Sequence, residues 1–253
     1  MCIRDRLKPL NAFLTQIPWW YTMVVFIIIG YVTVGLRFAT ITAILLAFIG
    51  ATGMWMHSMI TLSSVLVSVL ICFVIGVPLG VLASYNKWYR DIQNVVLDAM
   101  QTLPYFCYLI PVLMFFGGNI VSAVIATVIY SVPPIIRLTA LGLSQVSGGY
   151  SEVSKSFGGT GIQTLNKVKF PLAVPSLVMG FNQTVIMAFA MQIVTPLIGG
   201  KGLGLQVFNA LQRSDTGRGL SAGLAIVLLA IIIDRITHAW TKKQRQALGL
   251  DQS

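Results

Sequence analysis

SEVSKSFGGTGIQTLNKVKFP, residues 151–171, is a block of mostly polar residues in the middle of a chain that is 56% hydrophobic and 9% charged. What surrounds it sets the class of the molecule. Mean hydropathy is +0.84, and apolar runs recur on both sides of the block. A bilayer core about 30 Å thick needs about 20 helical residues to cross it. Several such runs in succession, in 253 residues, describe an all-α polytopic membrane protein.

The pattern predicts about seven transmembrane helices, at roughly 17–36, 38–56, 59–84, 93–116, 118–136, 172–199 and 219–238. Two connections are long. One is the region 137–171 that holds the polar block. The other is a Gly-rich segment at about 200–218. The chain then divides into an N-terminal segment at 1–16, two peripheral transmembrane helices at 17–56, a core transmembrane unit at 57–240 with the loop 137–171, and a cytoplasmic tail at 241–253. The opening MCIRDR does not join naturally to the residues after it and reads as a non-native start.

Lys and Arg set the orientation, because they are in excess on cytoplasmic loops. With the 137–171 loop inside, Arg37, Lys87, Arg90, Arg137, Lys155, Lys167, Lys169, Arg235, Lys242, Lys243 and Arg245 are cytoplasmic. Arg4, Arg6, Lys8, Lys201, Arg213 and Arg218 are outside. The excess favours this placement, with the C-terminus inside and, after seven spans, the N-terminus outside. The same excess accounts for the net charge of +10. No basic stripe or nucleic-acid motif accompanies it, so a nucleic-acid partner is not expected. Cys2, Cys72 and Cys107 have no metal-ligand or CxxC spacing.

Ionisable groups at membrane depth are costly, and each is a functional candidate. Asp98, in VVLDAMQTLP, is the clearest. It lies about 7–8 Å into its predicted span at 1.5 Å per residue. Pairing with a loop cation competes with a substrate or proton role. Asp234 with Arg235 reads as an interfacial pair, and His57 as a solvated turn residue. Asn182, Gln183, Thr184 and Gln192 are pathway candidates on the sixth span, with interhelical hydrogen bonding as the plainer role. Gln183 and Gln192 are nine positions apart and point to opposite sides of a helix. Pro104, Pro111, Pro133, Pro134, Pro175 and Pro196 bend or break their helices.

The polar block has its own pattern. Ser151 is placed to cap a short helix with Glu152 in its first turn. Tyr150, Val153 and Phe157 share one face. Gly158 and Gly159 end it with a left-handed turn. A second helical pattern puts Ile162, Leu165 and Val168 on one side, and Pro171 stops it. The unit is a compact helix–turn–helix with a narrow apolar stripe. Such a stripe can lie on lipid headgroups, pack under its own bundle or fit a groove on a partner. Lys155 is offset by Glu152, which counts against the first.

Glu152, Gly158, Val168, Phe170 and Pro171 stand at the spacing Glu-x5-Gly-x9-aliphatic-x-apolar-Pro. This resembles the signature loop of ABC-importer permeases. Val153 and Ser154 stand where two alanines are commonest, and VKFP replaces the usual ILP ending. LDAMQTLPYFCYLIPVLMFFG, VPPIIRLTALGLSQV, SEVSKSFGG, KVKFPLAVPSLVMGFNQT, GGKGLG and LAIIIDRIT are similar, in that order over about 60–240, to the glycine betaine/proline betaine (quaternary-amine) branch of that family.

The resemblance implies a type I ABC-importer permease fold in a bacterial inner membrane. It implies that Tyr150, Glu152, Val153, Ser154, Phe157, Gly158, Val168 and Pro171 couple the chain to a separate cytoplasmic ATPase. It also implies a second permease copy as a homodimer partner and an external substrate-binding protein. ATP and Mg would bind the ATPase. Consistent with that, this chain has no G-x4-G-K-[ST] loop to cradle phosphate, and GGKGLG (199–204) reads as a tight external turn. The rivals are a permease for another small solute such as an amino acid, an ion-coupled secondary transporter using Asp98, and a structural membrane subunit.

Overall fold

The computed structural model describes residues 19–146 and 148–247. The N-terminal segment 1–16, with its suspected non-native start, and residues 248–253 of the tail lie outside the described residues. The chain is helical throughout them: α1 (Trp19–Thr33), α2 (Leu36–Ala51), α3 (Trp55–Tyr85), α4 (Lys87–Thr102), α5 (Phe106–Phe116), α6 (Ile120–Ser131), α7 (Pro133–Gln145), α8 (Gly148–Ser156), α9 (Gly161–Thr164), a π turn (Leu165–Lys169), α10 (Phe170–Met191), a 3-10 turn (Thr195–Ile198), α11 (Leu203–Arg213) and α12 (Thr216–Ala247).

The expected seven spans are not what the chain forms. Four helical segments are long and apolar enough to cross: Trp55–Tyr85, Ile120–Gln145, Gly161–Met191 and Thr216–Ala239. A fifth crossing arises if α4 and α5, bent by 98° at their junction, count as one broken span. The apolar run at 93–116 is therefore not a straight helix. It breaks at Leu103–Tyr105, where Pro104 has no amide hydrogen to continue the ladder. The two N-terminal helices have 15 and 16 residues. At 1.5 Å per residue the described residues reach about 22–24 Å, less than a bilayer core. Gly35, at φ +120, separates them.

Several prolines read as breaks or stops are passed through instead, Pro111 and Pro175 within helices. Pro133 and Pro134 occupy the first turn of α7, where a missing N–H costs nothing, so α6 and α7 form one crossing that runs on to Gln145. Pro171 likewise sits in the first turn of α10. The π turn carries the helix past it, so the span starts at Gly161 rather than ending before Pro171. The 137–171 loop thus shrinks to 146–160. The Gly-rich 200–218 segment contains the eleven-residue α11.

The bundle centres on α3, α7 and α10. Small residues let these backbones approach, as in membrane bundles generally. A Cβ on Gly80 of α3 would sit 2.7 Å from the carbonyl oxygen of Ile136, and one on Gly142 of α7 would sit 2.6 Å from the Cβ of Ser176 on α10. α12 packs on α10 and α11 through Ala222, Ala225, Leu229 and Ile232, which meet Val185, Phe189 and Leu203.

Candidate functional site

α6–α7 is 26 residues long, and the segment from Gly161 to Met191 is 31. At 1.5 Å per residue these span about 39 and 46 Å, more than the roughly 30 Å hydrocarbon core. Both run toward the polar block, which they hold at one end of the bundle. α8 starts at Gly148, so Ser151 lies inside the helix rather than at its cap, and Glu152 falls beyond its first turn. The expected stop is present. Gly158 has φ +75, a conformation glycine adopts without strain. The amides of Phe157 and Gly159 donate to the carbonyls of Val153 and Ser154 at 3.2 and 2.9 Å.

Beyond the stop, Thr160 and Gln163 form a reciprocal capping box that starts the next arm. A 2.8 Å bond between the hydroxyls of Ser154 and Thr164 ties the two arms. Tyr150, Val153 and Phe157 are exposed, Phe157 at 88%. A shallow groove of about 510 Å³ runs beside them, lined by Ser154, Gln163, Lys167 and Val168 among others. On the second arm, Ile162 is exposed, whereas Leu165 packs toward Leu143, Ala173 and Leu177. The predicted Ile162–Leu165–Val168 stripe is therefore split: Leu165 belongs to the bundle, while Val168 lines the groove. Lys169 sits 5.6 Å over the ring of Tyr85, so the α3–α4 turn is at this same end.

The other sequence candidates scatter. Asn182 is 4% exposed. Its Nδ2 donates to Asp234 Oδ1 at 2.6 Å, tying α10 to α12, and Asp234 also lies 3.5 Å from His238. The Asp234–Arg235 pair read from the sequence is thus replaced by Asn182 and His238. Thr184 is buried and Gln183 is exposed. Gln192 is buried beyond the end of α10 and donates to Thr127 Oγ1 at 3.3 Å. Gln183 and Gln192 do face different surroundings. Asp98 pairs with Arg137 at 2.5 Å, and that arginine stands on α7 rather than in a loop.

Two features escape a reading of the sequence. His57 is in α3, half-buried, with Nδ1 3.3 Å from Gln206 Nε2. GGKGLG is a tight turn, but a packed one. The amide of Leu203 donates to Thr61 Oγ1 at 2.8 Å, and a Cβ on Gly202 would meet that oxygen at 2.4 Å. Nothing in the sequence signals the contact between His57 and Gln206, which are 149 residues apart. Among the described residues, no group of three or more His, Cys, Asp or Glu is placed to hold a metal ion.

A multi-pass helical bundle that holds a short exposed helix at the ends of two long apolar helices has an architecture that suits a membrane transport subunit. Comparison with known proteins makes this specific. Residues 76–246 match the family model "Binding-protein-dependent transport system inner membrane component". Over 239 residues the chain is 41% identical to the glycine betaine/proline betaine transport system permease protein ProW of Escherichia coli (strain K12), covering 93% of this chain and 68% of that one. It is 39% identical to the glycine betaine transport system permease protein OpuAB of Bacillus subtilis (strain 168), covering 90% and 77%.

A solved inward-facing structure of the MetNI methionine ABC transporter superposes with a TM-score of 0.66 at 23% identity, over 73% of this chain and 93% of that one. That likeness establishes the fold, a type I ABC-importer permease fold with four or five crossings. The chain belongs to the family of binding-protein-dependent transport system inner membrane components. It is a non-catalytic permease subunit of an ABC importer, and ATP hydrolysis resides on a separate ATPase.

Proposed function

We propose that the chain forms the membrane pathway of an ATP-driven importer for glycine betaine/proline betaine-type osmoprotectants and is gripped by its ATPase at α8. The observation that carries this is the exposed Tyr150–Val153–Phe157 face, set between the ends of two long helices and stopped by Gly158. An apolar knob on a short helix suits a partner's groove. Glu152, exposed on the same helix, adds a polar contact, Ser154 fixes the second arm, and Val168 and Pro171 carry that arm into α10. The cargo class follows from relatives at 39–41% identity. A zwitterion without net charge needs no buried counter-ion on its path.

The working assembly in this reading has two copies of the chain, two ATPase subunits and an external binding protein. Nucleotide-driven closure of the ATPases would carry both α8 helices and rock the permease between inward- and outward-facing states. The α8 end and the end of α12 are cytoplasmic, and the start of α1 is outside. Support comes from Lys87, Arg90, Lys167 and Lys169 at the α8 end. The core unit is 57–240, with α1 and α2 peripheral to it. Gln183, exposed on α10, is the pathway candidate of first rank, ahead of the buried Asn182, Thr184 and Gln192.

The test is uptake of labelled glycine betaine by vesicles carrying the chain with its ATPase and binding protein. ATP-dependent uptake lost on Glu152→Ala together with Phe157→Ala, with the chain still in the membrane, is the expected result. Uptake that proceeds without the ATPase would overturn the proposal.

A further inference from the structure

We propose that Asp98 and Arg137 are a positioning link that makes the broken helix α4–α5 follow the movement of the α8 grip. The inference rests on the reading of α8 as the ATPase contact.

α4 has little hold on the bundle. Its one buried side chain is Leu97, which enters a cluster with Cys72, Val132, Ile135 and Ile136. The next residue, Asp98, reaches Arg137, the residue after Ile136, at 2.5 Å. The apolar and ionic contacts thus fall at one level and join α4 to α7. α7 continues to Gln145, and α8 begins three residues later. Arg137 is therefore about 12 Å from the end of α7. Past the 98° bend, the Tyr108 hydroxyl donates to the Met100 carbonyl and fastens α5 to the last turn of α4. α5 in turn packs on Met191, Val194 and Ile198, at and just beyond the far end of α10. A path of contacts thus runs from α7, whose end lies three residues before α8, through the ion pair to the opposite end of the bundle.

The pair is not enclosed by the bundle: the Asp98 and Arg137 side chains are 64% and 38% exposed on its surface. The arginine is also underused. Its Nε is buried without a hydrogen-bond partner, although guanidinium groups favour two-pronged contact with a carboxylate. An open cavity of about 480 Å³ lies around it, lined by Arg90, Asn94, Asp98, Leu141 and Ser144 among others. The guanidinium has room and alternative acceptors there. A contact that can be made, slid or broken fits an element with two arrangements, which is what coupling between distant sites requires.

The experiment uses the whole importer in proteoliposomes and measures cargo moved per ATP hydrolysed. Asp98→Asn and Arg137→Gln should each keep ATPase association and lower that ratio about tenfold. The charge swap Asp98→Arg with Arg137→Asp should restore most of it, a rescue that a proton-carrying or cargo-binding role for Asp98 would not give. An unchanged ratio in both single variants overturns the link. So does loss of the complex in the single variants with no rescue by the swap, which marks a purely structural pair. Failure of the α8 reading looks different: the unaltered complex then shows no ATP-driven uptake at all.

Discussion

Asn182 on α10 donates a 2.6 Å hydrogen bond to Asp234 on α12, some fifty residues along the chain. The carboxylate is also 3.5 Å from His238 one turn further on. This is how the bundle satisfies a carboxylate carried by an apolar helix. In membranes such interhelical bonds average about 0.6 kcal/mol and reach about 1.7.

Asn182→Leu therefore removes the α10–α12 tie without removing bulk. The expected loss is about 0.6–1.7 kcal/mol, read as a lower melting temperature of the detergent-purified chain. A double-mutant cycle with Asp234→Asn measures the coupling. A cycle near zero would mean that the two side chains do not interact.

Phe157→Ala separates binding from folding. The ring is 88% exposed, so its removal costs the chain itself almost nothing. If it is the knob in the ATPase groove, its loss should cost about 2 kcal/mol or more of affinity, as buried aromatic anchors do. Pull-down of the ATPase at a fixed concentration should fall about tenfold or more, with the melting temperature of the isolated permease unchanged. Equal pull-down by both forms would show that the knob is elsewhere.

How much of this is legible in the sequence depends on what each residue signals. Gly158 announces its left-handed turn correctly, because the preference is local to one residue. The prolines do not. Pro171 and Pro133 look like stops, yet each lies where a helix segment begins and its missing N–H is harmless. Only the neighbouring backbone decides between those readings. Counting seven spans errs for a related reason. Hydropathy reports apolar runs, not whether a run is straight. The 93–116 run bends by 98°, and the first two runs give helices of 15 and 16 described residues. Asp98 stands out in the sequence, but its partner is expected in a loop, because Arg137 falls beyond the end of its predicted helix. His57 and Gln206 give no sign of pairing at all, being 149 residues apart.

The π turn at Leu165–Lys169 joins the α9 arm to α10. A π turn holds one residue more than an α turn, and such insertions recur at functional sites. Deleting the exposed Ile162, which lies outside the π turn, leaves that extra residue in place. It should rotate the chain before it, α8 included, by about 100° against the span, one residue's turn of an α-helix. α10 keeps its packing, so the chain should still reach the membrane with an unchanged melting temperature. Uptake should fall about tenfold or more as α8 loses its aim. Full uptake by the deletion variant would show that the register of the arm does not matter.

The glycines of the 199–204 turn are not equivalent to those on the surface of α12. A Cβ on Gly204 would lie 1.9 Å from the carbonyl oxygen of Gln192, a clash with backbone that cannot rotate away. Gly202 combines φ +99 with a would-be contact at 2.4 Å to Thr61 Oγ1. The Gly204→Ala change forces α11 off the end of α10, Gly202→Ala forces the turn off α3, and either shift disturbs the Leu203–Thr61 bond. Each should cost about 2 kcal/mol or more through strain and an unpaired buried donor. Gly223 on α12 has nothing within 4 Å of its would-be Cβ. Gly223→Ala should instead stabilise the helix by about 0.5–1 kcal/mol. Melting temperatures of the three variants, measured side by side, should thus move in opposite directions, two down and one up. A Gly204→Ala variant as stable as the unaltered chain would mean that α11 does not rest against the end of α10.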